Sequence, residues 1–182
     1  MPRPRLAPLL LLPLALLPAA VQAQQRHDTT APIDFGADRI ELQDRANRAV
    51  LSGNVSVKQA EMTLDAARMT VAYTGQAIDG NPQVSRLDAS GGVTVTRPDQ
   101  RARAQYAIYD LNARVITMLG SVALTQGTNT VSGGRLVINL DTGRAVIDGS
   151  AVGGGAAAQP GGDGVVRSSG RVTGRFSVPN RN

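Results

Sequence analysis

The chain contains no cysteine and no tryptophan, and only one histidine, two phenylalanines and three tyrosines. Without cysteine no disulfide can brace the fold, and thiol nucleophiles and thiolate metal sites are excluded. The single histidine, His27, sits in a polar stretch near the amino terminus, so neither a histidine-centred triad nor a multi-histidine metal site can be built. No Gly-x-Ser-x-Gly elbow and no glycine-rich phosphate loop with lysine occurs. The acidic residues Asp65, Asp88, Asp110 and Asp148 stand apart near expected turns, where aspartate ordinarily closes backbone. No catalytic residue, cofactor or metal ligand is expected. Lysine is nearly absent too: Lys58 is the only one, and arginine supplies the rest of a +5 net charge. Guanidinium groups suit phosphate and carboxylate, but these are scattered along the chain, and a solvated basic surface explains them equally well.

Two arginines in Met1 to Arg5 precede the uncharged apolar run Leu6 to Ala20. This pattern reads as a signal peptide, residues 1–23, cleaved after Val21-Gln22-Ala23. The run is short for a membrane span and is interrupted by Pro8, Pro13 and Pro18, which disfavours a retained anchor. Loss of Arg3 and Arg5 would leave +3. Residues 24–31 then form a flexible lead-in, and one domain is expected over 32–149.

From Ile33 to Ile147 apolar and polar residues alternate with period two, the mark of half-buried strands. Leu51, Gly53, Val55 and Val57 share one phase. Met69, Val71 and Tyr73 share another, as do Val93 with Val95 and Ile116 with Met118. Val122 with Leu124, and Leu136 with Ile138 and Leu140, continue the pattern. Asp79-Gly80-Asn81-Pro82, Ser90-Gly91-Gly92 and Asp141-Thr142-Gly143 are expected to reverse the chain between short strands. The expectation is an antiparallel meander.

Ala60, Leu64, Ala67 and Val71 fall at helical spacing, but an internal repeat overrules a helix. A shift of 67 residues superposes Gly53-Asn54-Val55-Ser56-Val57 on Gly120-Ser121-Val122-Ala123-Leu124, and Arg68-Met69 on Arg135-Leu136. The helix centre then falls on Gly133-Gly134, where each glycine costs about 1 kcal/mol, so both copies read as strand, turn, strand. A weaker copy begins at Ser90-Gly91-Gly92-Val93-Thr94-Val95. Repeats of this size cover one another's apolar faces along an axis. Beyond Gly149, residues 150–182 are Gly/Ala-rich and basic, and read as a disordered tail that could lend a strand through Val165, Val166, Val172, Phe176 and Val178.

The run Ala31-Pro32-Ile33-Asp34-Phe35-Gly36-Ala37-Asp38, followed by Leu51-Ser52-Gly53-Asn54-Val55, Tyr109-Asp110-Leu111 and Met118-Leu119-Gly120-Ser121-Val122, resembles the LptA/OstA-like family of periplasmic lipopolysaccharide transport proteins. The likeness spans Pro32 to Gly149. It implies an all-β, slightly open antiparallel jellyroll in the periplasm, whose apolar interior takes lipid A acyl chains. On this reading the groove is lined by Ile33, Phe35, Leu51, Val55, Val57, Leu64, Met69 and Val71 from the first half. Val93, Val95, Tyr109, Leu111, Ile116, Met118, Val122, Leu124, Leu136, Ile138 and Leu140 line it from the second. Edge strands at Ile33 and Phe35 and at Val146 and Ile147 would join copies head to tail. The implied partners are lipopolysaccharide, the periplasmic subunit of an inner-membrane exporter and the amino-terminal domain of an outer-membrane translocon. Nucleic acid is not among them.

An inward row of Val, Leu, Ile and Met in a sheet that does not close makes an oily groove. Burying one acyl chain of about a dozen carbons contributes on the order of 10 kcal/mol at roughly 0.8 kcal/mol per CH₂. Release into water is then slow, while transfer to an equivalent groove is nearly neutral. Each interior residue could equally be plain core, and Arg39, Arg68, Arg97, Arg103 and Arg135 could meet lipid phosphates or only water. The rival reading is a structural β-solenoid or filament with a dry core and no lipid ligand.

Overall fold

The computed structural model describes residues 27–75, 82–149 and 172–175. The expected signal peptide and the Asp79-Gly80-Asn81 turn lie outside the described residues, as does most of the Gly/Ala-rich tail.

Among the described residues ten strands form one antiparallel sheet: β1 Ile33–Gly36, β2 Arg39–Gln43, β3 Arg48–Gln59, β4 Met62–Thr74, β5 Gln83–Thr96, β6 Gln100–Asp110, β7 Val115–Gln126, β8 Asn129–Asn139, β9 Ala145–Asp148 and β10 Thr173–Arg175. Strands β3 to β8 are each neighbours of the next, as expected of a meander. β1 and β2 share the free edge of β3, and β9 and β10 share that of β8. These two edges do not pair with each other, so the sheet stays open. The alternation in the sequence is reproduced as burial, with inward residues such as Met62, Leu64, Met69 and Val71 of β4 buried and their neighbours Thr63, Asp65, Thr70 and Ala72 only partly covered. Ala60 takes a left-handed φ of 47° and turns β3 into β4, so the helix-like spacing after Ala60 is indeed strand and turn.

One reversal expected from sequence is corrected. Ser90-Gly91-Gly92 lies inside β5 and does not end it. In β3, β5 and β7 the pairs Gly53-Asn54 (φ 75° and 45°), Gly91-Gly92 (85° and 82°) and Gly120-Ser121 (80° and 49°) place two successive residues in the left-handed region. At each pair the register with both neighbours shifts by one residue, for example between Ser52 and Val55 of β3 and between Asp65 and Arg68 of β4. An extra left-handed residue bends a strand sharply, and glycine enters that region without a Cβ penalty. The repeated Gly-x-Val-x-Val unit is therefore a bend followed by an inward strand. The strands run through these bends and are longer than the turn-to-turn reading suggested.

The three bends line up across the sheet and fold it onto itself. Gln59 of β3 and Tyr109 of β6 stand on opposite sides of the bend line, yet the Tyr109 hydroxyl donates to Gln59 Oε1 at 2.7 Å. The inward faces of the two halves thus meet in a jellyroll, with Leu51, Met69, Ile116, Met118, Leu136 and Leu140 wholly removed from solvent. Asp141-Thr142-Gly143 turns β8 into β9 as expected, with Asn139 Oδ1 accepting from the Thr142 amide at 2.9 Å. β10 pairs Thr173 to Arg175 with Ser132 to Thr130 of β8, so this part of the tail does add a strand.

A Cβ placed on Gly91 would lie 2.7 Å from that of Ala67, whereas one on Gly92 meets nothing within 4 Å. Gly92→Ala is expected to cost about 1 kcal/mol for its left-handed backbone, and Gly91→Ala about 2–3 kcal/mol because the neighbouring strand must also yield. Urea unfolding of the two variants, run in parallel, measures the difference.

Candidate functional site

Register carries the inward residues into rows that cross the sheet at right angles to the strands. One row runs Ile40, Leu51, Met69, Ala89, Ala107, Met118, Leu136, Ile147. A second, beside it, runs Leu42, Ala49, Val71, Leu87, Tyr109, Ile116, Ile138, Ala145. Beyond the bends, the facing wall carries Phe35, Val57, Leu64, Val95, Ala102, Leu124, Val131 and Gly174. Eight strands at a spacing near 4.8 Å make each lane about 34 Å long. The lanes are apolar from one sheet edge to the other.

Of the expected groove residues, Leu51, Val55, Val57, Leu64, Met69, Val71, Val93, Val95, Tyr109, Ile116, Met118, Val122, Leu136, Ile138 and Leu140 are buried together in one cluster. Ile33, Leu111 and Leu124 are partly buried against it. Phe35 shares the inward phase but lies at the rim, 47% exposed. These side chains pack on one another between the two walls. Two surface concavities, of about 500 and 460 Å³, lie at the bend (Gly53, Asn54, Ala67, Gly92) and beside β8 and β9 (Val137, Asn139, Thr142, Arg144, Val146), and neither runs along the lanes.

The rows end differently at the two edges. At the first edge Phe35, Ile40 and Leu42 are 47%, 46% and 55% exposed on the inward side. At the other, Ile147 packs against the core, Ala145 is exposed, and Gly174 presents no side chain beside Val131. Val146, expected to join Ile147 in assembly, pairs with Val137 on the outward face and is 43% exposed. Ile40 and Leu42 escaped the sequence reading, although their alternation in Arg-Ile-Glu-Leu-Gln was there to be read. The alanines of β6 escaped because a small side chain gives no hydrophobic signal.

The strand arginines face outward. Arg39, Arg68 and Arg135 fall in one outward row with Ser52, Ser90, Tyr106 and Leu119, and Arg135 pairs with Asp148 at 3.8 Å. Arg103 is exposed on the same face, opposite Ala123, and Arg97 lies in the β5–β6 turn. Such exposed pairs contribute under about 1 kcal/mol. Among the described residues there is no group of three or more side chains able to hold a metal ion.

Gln59 is the one polar side chain among the buried described residues. Its Nε2 donates to the carbonyls of Thr29 and Ala31, both at 3.1 Å, while Oε1 accepts from Tyr109 and lies 3.2 Å from His27 Nε2. Residues 27–31 are thereby bonded to the end of β3. Burial pushes the Tyr109 hydroxyl up to about 12, against the opposing pull of the Arg114 guanidinium. It remains a donor throughout the neutral range. Tyr73 closes the opposite end of β4, donating to Asp44 Oδ1 at 2.9 Å, and burial followed by that carboxylate raises its hydroxyl above the ordinary value.

A single open sheet, bent into a jellyroll around continuous apolar lanes, defines the class: a β-scaffold with an oily interior and two free edges. Residues 35–144, more than half of the chain, match the family described as LptA/(LptD N-terminal domain) LPS transport protein, and the chain belongs to that family. It is similar to the crystal structure of LptH, described as the LptA homologous periplasmic component of the lipopolysaccharide transport device of Pseudomonas aeruginosa. That likeness has a TM-score of 0.65 at 18% identity over 84% of this chain and 99% of the other, and shows the shared fold. An uncharacterised protein of Rhizobium meliloti is 34% identical over 121 residues, which is 64% of this chain; the match spans 65% of that relative's length.

Tyr109→Phe removes one partner of buried Gln59 and is expected to cost about 1–2 kcal/mol at pH 7. Because the folded value of about 12 lies above the unfolded value near 10, the stability tied to this hydroxyl is complete below about pH 10 and lost as pH rises toward 12. Denaturation midpoints across that window should fall less steeply in the variant than in the parent.

Proposed function

We propose that this protein carries lipopolysaccharide through the periplasm, with lipid A acyl chains held between the two walls of the jellyroll. The supporting observation is the set of apolar lanes that run from edge to edge and finish in exposed Phe35, Ile40 and Leu42. A lane of this kind is as favourable for a hydrocarbon chain at one strand as at the next, so movement along it changes the free energy little. Work must come from a partner, and the periplasmic subunit of an inner-membrane exporter is that partner on this reading. No catalytic step is invoked.

The free edges supply the second half of the proposal. Unpaired backbone groups along β1 and β2 of one copy could pair with the β8, β9 and β10 end of another. Docked in that order, Phe35 and Ile40 would extend the lanes that end at Gly174 and Ile147. The amino-terminal domain of an outer-membrane translocon, built on the same fold, would receive the last edge. The dry-core structural filament remains the second reading, favoured by the full burial of Leu51, Met118 and Leu136.

Photo-crosslinkers at Val57, Met118 and Ile138 distinguish the two. Capture of lipopolysaccharide at these inward sites, with little at outward Ser56 or Thr117, is the expected outcome; capture only at the outward sites would sink the carrier reading. Light scattering should show concentration-dependent elongation that Phe35→Asp abolishes. A strictly monomeric protein at high concentration would remove the bridge and leave a solitary carrier.

A further inference from the structure

Lipid can reach the lanes only if the two walls part, because the side chains now fill the space between them. The bend line fixes one side of the jellyroll covalently, since β3 to β8 all run through it. The opposite side is a seam, where strand ends from the two halves approach one another. Gln59, the last residue of β3, reaches Tyr109, one residue from the end of β6, across that seam. The same amide side chain holds the backbone of Thr29 and Ala31, and His27 lies against its oxygen. One side chain therefore ties three pieces together: the end of one wall, the end of the other, and the segment before β1.

This arrangement is costly for a residue that serves packing alone. A buried amide must find every partner inside the protein, and an aliphatic side chain of similar size would fill the volume without that demand. Here each partner is present, and no buried side-chain polar atom among the described residues lacks one. The bond from Tyr109 crosses the seam and holds only while it is shut, while those to Thr29 and Ala31 anchor the same amide on the β1–β3 side. They are also directional, and a small displacement of residues 27–31 breaks two of them at once.

We propose that Gln59, Tyr109 and residues 27–31 form a strap across the seam, whose release governs how fast acyl chains enter the interior. The inference rests on the carrier reading for its ligand, but not for its mechanics. Loading parts the walls with the strap undone, and the strap closes again over an emptied interior.

The absence of native cysteine allows a test that needs no lipid. In Met118→Cys the thiol occupies a wholly buried site, and its rate of reaction with a maleimide reports opening. Adding Tyr109→Phe or Gln59→Met is expected to raise that rate about fivefold, the factor corresponding to one net hydrogen bond. Combining both should add little, because they undo one strap. Val122→Ala, which loosens the core beside the bend and away from the strap, is the comparator: at matched unfolding free energy it should label more slowly than the strap variants. Equal labelling in strap variants and comparator, or no increase over the parent, would overturn the strap. A second arm follows lipopolysaccharide capture by a crosslinker at Met118, which should be faster in the strap variants. Faster labelling without any capture in parent or variants would leave the strap standing and remove the carrier reading.

Discussion

The structure depends on one backbone constraint, two successive left-handed residues placed in the middle of every second strand. A flat meander of this length would expose its whole apolar face to water. Each Gly-x pair adds one residue to β3, β5 or β7, shifts the register with both neighbours, and turns the strand through the bend. With the bends aligned, one sheet supplies both walls of its own core. No second sheet or helix is required, and the few aromatics are no handicap, because the walls close on Val, Leu, Ile, Met and Ala.

The same geometry explains why the interior reads as a core and as a lane at once. Rows of inward residues lie in register across eight strands, so apolar surface is continuous along the axis from the first edge to the last. Burial is complete in the middle and fails at the first edge, where Phe35, Ile40 and Leu42 have no strand beyond them. The exposed ends and the sealed middle are two consequences of leaving the sheet open. Continuity favours a sliding hydrocarbon, and sealing demands a device that lets it in.

Charge and polarity are sorted by the pleat. Arginine at strand positions falls on the outward phase, where Arg39, Arg68 and Arg135 line up beside serine and aspartate, and the single polar intruder, Gln59, is satisfied at the seam. Membership of the LptA/(LptD N-terminal domain) family agrees with this division between an oily inside and a charged outside.

The sequence by itself determined the strands, their antiparallel order, the inward phase and the repeated glycine units, because period-two alternation and left-handed preference are local properties. It misjudged Ser90-Gly91-Gly92 as a reversal, since glycine pairs mark a turn and a mid-strand bend alike, and only pairing on both sides separates them. It passed over Ile40 and Leu42, and the alanines of β6 carry too little side chain to stand out. Only the tertiary structure decided that the two halves of each strand face one another and that the interior is filled. It alone brought Gln59 to Tyr109, 50 residues away. Those outcomes arise from the summed curvature of three bends, and no window of neighbouring residues contains that sum.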